Sequence, residues 1–143
     1  MKSYSVTVGT ASTIILPKLS FGSAPADWAA GAIAQGAYVT ATNGNRYWTP
    51  NGGTASTEPT HTIGVATGGD GVKWVYIPSS RAEVVISIDD DADAVYVKKS
   101  GTAVAGETLK LRDTLPARNY YGYIGEISAI VESGTAVVTV EYE

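Results

Sequence analysis

Short runs in which apolar and polar residues alternate, broken by turn-forming residues roughly every eight to twelve positions, restrict this chain more than any other feature. The cleanest run is Thr135–Glu143, where Ala136, Val138, Val140 and Tyr142 point one way and Thr135, Thr139 and Glu141 the other. Ser5–Val8 alternates similarly, pauses at Gly9 and resumes at Thr13–Leu16 until Pro17 stops it. Val84, Ile86 and Ile88 oppose Glu83, Val85 and Ser87. Successive side chains of an extended backbone fall on opposite faces, so each run predicts a strand with one buried face. Ala94–Lys99 reads as the return strand of a hairpin that turns through Asp89–Asp93, and Glu107–Leu111 alternates again. Arg112–Asn119, broken by Pro116, reads as a loop, and Tyr123–Val131 as a strand buried on both faces with a bulge at Gly125.

Between these runs lies a different texture. Leu19–Gly31 is a loop or one short helix capped by Asp27, limited by Gly31 and Gly36. Gly36–Ile77 holds two of the three tryptophans, the only histidine and dense glycine punctuation. Tyr38–Ala41, an Asn43-Gly44-Asn45 turn and Arg46–Thr49 make an aromatic hairpin; a Pro50–Pro59 loop and a Gly68–Gly71 turn lead to a third strand, Val72–Ile77. Three short strands bury little aliphatic surface, so aromatic rings must supply most of this unit's core.

With 143 residues, 44% hydrophobic, 17% charged and 16 glycines, the chain suits one small all-β fold. The expected architecture is an antiparallel β-sandwich, jelly-roll-like, built from residues 1–20 and 79–143, with residues 21–78 inserted as a small aromatic-rich β module. The N-terminal strand must then pair with the C-terminal sheet.

Several function classes fall away. A net charge of −4 gives no basic field for a phosphate backbone, so no nucleic-acid partner is expected. There is no cysteine, hence no disulfide, thiolate metal site or thiol nucleophile. No apolar run reaches the roughly 20 residues that cross a bilayer, and Met1–Val8 lacks the apolar block of a signal peptide; the expectation is synthesis in the cytoplasm, without a membrane partner. Asp89, Asp91 and Asp93 begin with calcium-loop spacing, but Ala94 and Ser100 stand where glycine and glutamate are needed, which favours a solvated acidic turn. His61 stands alone and is read as a backbone hydrogen-bonding group of its loop; nothing in sequence brings Glu126 and Glu132 to one cleft. Gly68–Gly71 precedes a strand and lacks the lysine of a phosphate loop. The chain is expected to be no enzyme and to hold no cofactor or metal.

The aromatic residues are the remaining candidates. Trp28, Tyr47, Trp48, Trp74 and Tyr76 form either a stacking platform for sugars or the core of the module, and core is the favoured reading. Trp48 is the ring expected at the surface, because Tyr47 beside it should face the opposite way. Tyr120, Tyr121 and Tyr123 suit an intersubunit contact or a sandwich rim.

Gly36-x-x-Val39, Gly44-x-x-Tyr47, Glu58-Pro59-Thr60-His61-x-x-Gly64 and Asp70-Gly71-x-x-Trp74-x-Tyr76 resemble a small module of bacteriophage virion proteins, whose first half is similar to chitin-binding modules. Ile33 stands where the chitin-binding pattern has an aromatic residue. Val6–Thr10, Arg81–Ile88, Val95–Val97, Gly106–Leu109 and Gly134–Val140 resemble the β-sandwich of head-decoration and fibre-base proteins of tailed phages. The resemblance implies a non-enzymatic capsid decoration (cement) protein on the outer surface of the virion. Its partners would be the major capsid protein and further copies of itself, often as a homotrimer, with Met1–Ser5 as an arm that orders on assembly. The other implied role is an adhesin module of a tail or baseplate that binds a surface glycan on Trp48 and Trp74.

Overall fold

The structure, a computed structural model, describes residues 2–88, 94–106, 109–112 and 117–143. It is all-β, with no helix among the described residues. The strands are β1 (Lys2–Val8), β2 (Thr13–Leu16), β3 (Gly31–Ile33), β4 (Tyr38–Thr40), β5 (Arg46–Trp48), β6 (Gly53–Ala55) and β7 (Val65–Thr67). After them come β8 (Lys73–Tyr76), β9 (Glu83–Ile88), β10 (Val95–Lys99), β11 (Leu109–Leu111), β12 (Ala117–Tyr121), β13 (Ile127–Val131) and β14 (Ala136–Tyr142).

Two four-stranded antiparallel sheets, β1-β14-β9-β12 and β11-β10-β13-β2, make a sandwich-like pair. β1 lies along β14 from Lys2↔Tyr142 to Val8↔Ala136, which supplies the N-terminal run with its partner. Lys2–Ser5 is therefore strand, not a free arm. Tyr4, Val6, Val8, Val84, Ile86, Ile88, Val138 and Val140 from one sheet meet Ile15, Val95, Val97, Leu111, Ile127, Ala129 and Val131 from the other in one core.

β9 and β10 do not form the expected hairpin. β14 and β12 occupy both edges of β9, so the chain crosses to the facing sheet, where β10 pairs with β11 and β13. The Asp89–Asp93 turn, and with it the cation question, lies outside the described residues. Ala117–Asn119, read as loop, belong to β12: pairing with β9 overrides a sequence without alternation. Only Ile127–Val131 of the Tyr123–Val131 run is strand. The register shift falls between Ile127 and Ser128 rather than at Gly125. Gly125 instead makes room for a ring, since a Cβ there would lie 2.6 Å from the Tyr123 hydroxyl.

Residues 21–78 carry more strand than the three segments expected. β4-β5-β8-β7 form one sheet, and β3 pairs with β6, which occupies the supposed Pro50–Pro59 loop. No helix starts at Asp27; Ala26–Trp28 runs along β4, with Trp28 N–H donating to Thr40 O (2.8 Å) and Thr40 N–H to Ala26 O (2.9 Å).

Tyr47 and Trp48 do point to opposite faces of β5, and both faces are covered. Tyr47 joins Val39, Ala41, Ala55, Val72 and Trp74 in a core of the module. Trp48, with Val75 and Ile77, enters the sandwich core. Trp48 is 0% exposed, its ring 5.5 Å from that of Tyr4, so the expectation of a surface ring is wrong. Alternation separated the two rings correctly, but the sandwich occupies the side where solvent was expected.

Candidate interaction surface at the module–sandwich junction

Beyond Trp48, Tyr38 and Gln35 make the polar contacts between module and sandwich, Gln35 Nε2 donating to Ile14 O at 3.1 Å, and Arg81 braces the sandwich beside them. Tyr38, on β4, donates its hydroxyl to Glu126 Oε2 at 2.6 Å and accepts Lys18 N–H at 3.0 Å. Burial first, and the bond to Glu126 second, push the Tyr38 pKa far up, so this phenol remains a donor at any ordinary pH. Arg81, 4% exposed, donates from Nη1 to Pro17 O (2.8 Å) and from Nη2 to Gly125 O (3.3 Å). The phenols of Tyr4, Tyr38, Tyr142 and Tyr123 surround it; burial lowers its pKa, but a guanidinium starts so high that it stays charged. Burial likewise raises Tyr142 to about 12. One cation thus ties the end of β2 to the residues before β13, beside the link into β9.

The candidate residues separate sharply. Tyr47, Trp48 and Trp74 are interior, and Tyr47 spends its hydroxyl on His61 O at 2.6 Å. None of the three belongs to an interaction surface, and Trp48 with Trp74 offers no sugar platform: a ring 0–1% exposed has no face to stack on. Tyr120 and Tyr123 are half-buried, their centroids 6.2 Å apart, with Lys99 Nζ 4.8 Å from the Tyr123 ring and 5.9 Å from the Tyr120 ring. Tyr121 alone projects, 73% exposed.

Tyr121 has company that sequence reading missed. Ile63 is 68% and Ile124 54% exposed, each bordering a hollow beside Pro78, and Tyr121 pairs with Glu83 just beyond the Pro78–Ala82 link between module and sandwich. Ile63, with Lys2, Tyr142 and Glu143, borders a hollow of about 220 Å³ on one side of Pro78. Ile124, with Leu19, Phe21, Arg46 and Ile77, borders a wider cleft of about 500 Å³ on the other. Ala82 fixes the ends together: it accepts Gly122 N–H at 2.9 Å and donates to Glu143 O at 2.8 Å. Large apolar side chains grouped around depressions mark contact sites on soluble proteins. The signal in sequence was slight: Ile63 stands in a polar Thr60–Gly64 loop and Ile124 between two glycines.

The two glutamates weighed as an acid–base pair are not brought together. Glu126 and Glu132 lie at opposite ends of β13 and accept from Tyr38 and Tyr96 respectively. Among the described residues no three His, Cys, Asp or Glu converge as metal ligands, and no helix is long and apolar enough to cross a membrane. His61 packs 5.1 Å from the Tyr47 ring, and its Nε2 is buried without a hydrogen-bond partner, so the role expected for it as a backbone-bonding group does not extend to that nitrogen. Burial lowers its pKa, outweighing main-chain groups of Gly64 and Trp74 that favour the charged ring.

Two carboxylates tie the loops of the module. Asp70 accepts main-chain N–H groups of Ser56 (2.8 Å), Thr57 (3.0 Å) and Val72 (3.0 Å), and Glu58 accepts Thr42 N–H (2.6 Å) and its hydroxyl (2.7 Å). Those bonds hold both pKa values below the usual range. A lowered histidine pKa gives stability that is full above about pH 6.5 and lost on acidification below it; a lowered carboxylate pKa gives stability lost below about pH 4. The expected thermal midpoint, followed by tryptophan fluorescence, is therefore flat between about pH 7 and 9, falls in two steps on acidification, and falls again above about pH 10, where tyrosines kept neutral by burial ionise on unfolding. His61→Phe should remove the upper of the two acid steps and Asp70→Asn should shrink the lower one.

No protein-family model, curated protein or solved structure matches the chain.

Proposed function

We propose that the protein is a non-enzymatic structural component of a bacteriophage virion, a capsid decoration protein that binds the outer shell between capsomers and stabilises the head. The observation that carries this reading is the placement of apolar surface. The module's hairpin rings are spent on its own core and on the sandwich, while Ile63, Tyr121 and Ile124 gather at the junction without a covering element. Such a surface suits a protein partner, and the sandwich-and-module resemblance gives the partner's class: the major capsid protein and further copies of this chain, in a homotrimer. The molecule would be made in the host cytoplasm and used on the outside of the capsid. Shell stabilisation needs no chemistry, only area buried between subunits.

Purified protein added to capsids that lack it is expected to bind to saturation at a fixed ratio and raise their heat resistance. Tyr121→Ala with Ile124→Ala should weaken that binding by about tenfold or more. Failure to bind such capsids, or binding untouched by the double substitution, contradicts the reading.

A further inference from the structure

We infer that the hollow between Arg81 and Tyr142 is a binding site for a single small halide ion such as chloride, held where the module meets the sandwich. The inference is independent of the role proposed above. Two buried donors carry it. Arg81 is 4% and Tyr142 3% exposed, and among the described residues neither Arg81 Nε nor the Tyr142 hydroxyl has a hydrogen-bond partner. Both side chains line the same small hollow, whose walls include Tyr4 and Leu16 of the sandwich and Val75 and Tyr76 of β8. A buried donor left unpaired is costly, so two that share one hollow point to a common acceptor between them.

The charge identifies that acceptor. The other bonds of the guanidinium go to neutral carbonyls, from Nη1 to Pro17 O (2.8 Å) and from Nη2 to Gly125 O (3.3 Å). The groups that act on it through their charge are the phenols of Tyr4, Tyr38, Tyr142 and Tyr123, and burial raises Tyr142 to about 12 and holds Tyr4 and Tyr38 well above the usual phenol range. Glu126, which follows Gly125, gives Oε2 to the Tyr38 hydroxyl at 2.6 Å rather than to Arg81. Among the described residues this buried cation therefore has no bonded counter-charge, and its apolar surroundings strengthen its field. Tyr4 spends its own hydroxyl proton on Ile15 O at 2.7 Å, which leaves Arg81 Nε and Tyr142 as the donors that face the hollow.

Size and proton count select the ion. The hollow leaves about 10 Å³ for the centre of a water-sized body, which suits one monatomic ion and excludes sulfate and phosphate. A water would bring two protons that need acceptors among largely apolar walls, whereas a halide brings none and balances the arginine. Because the walls come from both parts of the fold, the ion would fasten β8 to β1, β2 and β14 through Arg81.

Thermal unfolding in sodium chloride and in sodium gluconate of equal ionic strength, followed by circular dichroism, tests the site. Chloride at ten times its dissociation constant favours the folded state by about tenfold, and the midpoint is expected to rise by about 4 °C and then level off. Tyr142→Phe keeps the buried ring and removes only the hydroxyl, so it should fold as the parent does and weaken chloride binding about tenfold. Arg81→Met should abolish the chloride effect altogether. Diffraction from crystals grown in bromide should place an anomalous peak between Arg81 Nε and the Tyr142 hydroxyl. Equal midpoints in the two salts would overturn the inference and leave the hollow to water. A chloride effect undiminished in Tyr142→Phe, or bromide found only elsewhere, would overturn it as well.

Discussion

Replacing Trp48 with alanine is expected to destabilise the protein by about 3–5 kcal/mol, the usual loss for a large aromatic side chain removed from a tight core. The expected loss is large because of where the ring lies. Trp48 belongs to the module's β5 yet packs with Tyr4 and the sandwich core, so a cavity there weakens both parts at once. The tryptophans at 28, 48 and 74 all report on the module, whereas far-ultraviolet circular dichroism is weighted to the longer strands of the sandwich. In the unsubstituted protein both signals should show one denaturation midpoint. In Trp48→Ala both midpoints should fall, with the fluorescence transition first. Two well-separated transitions in the unsubstituted protein would mean that module and sandwich do not share a core.

The second large effect is expected at Arg81. Arg81→Met keeps much of the side-chain bulk but leaves Pro17 O and Gly125 O without their donor. A buried acceptor stripped of its partner costs about 1–3 kcal/mol, and relief from desolvating a cation offsets part of the sum. The net expectation is a loss of about 2–4 kcal/mol. Arg81→Lys should recover less than half, because a single ammonium lacks the fork that reaches two carbonyls. A methionine variant as stable as the parent would show that the guanidinium contributes no stability at this joint.

These residues also mark what could be read from sequence. Strand alternation located β1, β2, β9, β10 and β14, and sorted the side chains of β9 and β14 onto the two faces that the fold buries and exposes, because period two is a local property of an extended chain. Partner choice is not local. Nothing in Glu83–Ile88 says that both its edges are taken, so the hairpin with β10 was the natural and incorrect expectation. The same limit explains β6 and β12, short strands whose sequences lack alternation and which exist because a neighbour offers an open edge.

For the surface, sequence counted the rings but could not assign their exposure. Tyr47 and Trp48 were separated onto two faces by alternation, yet whether the second face meets water or a sheet depends on residues 1–20 and 79–143 folding beneath it. Tyr121 was found because tyrosines cluster at 120–123, while Ile63 was passed over as a single apolar residue in a polar loop, and Ile124 was placed inside the Tyr123–Val131 run expected to be buried, whereas the strand begins only at Ile127 and leaves it exposed. Arg81 entered the reading only as the first residue of the Arg81–Ile88 run. A buried arginine is recognised by what surrounds it, and its carbonyl partners at 17 and 125 are distant in sequence.

The most direct test of the proposed role is an image of virions carrying a label fused to this chain at its exposed Gly69 turn, away from the junction. Decoration of the shell places the label in a regular array over the head, at positions between capsomers. Label confined to the tail, or absent from the assembled particle, would contradict it.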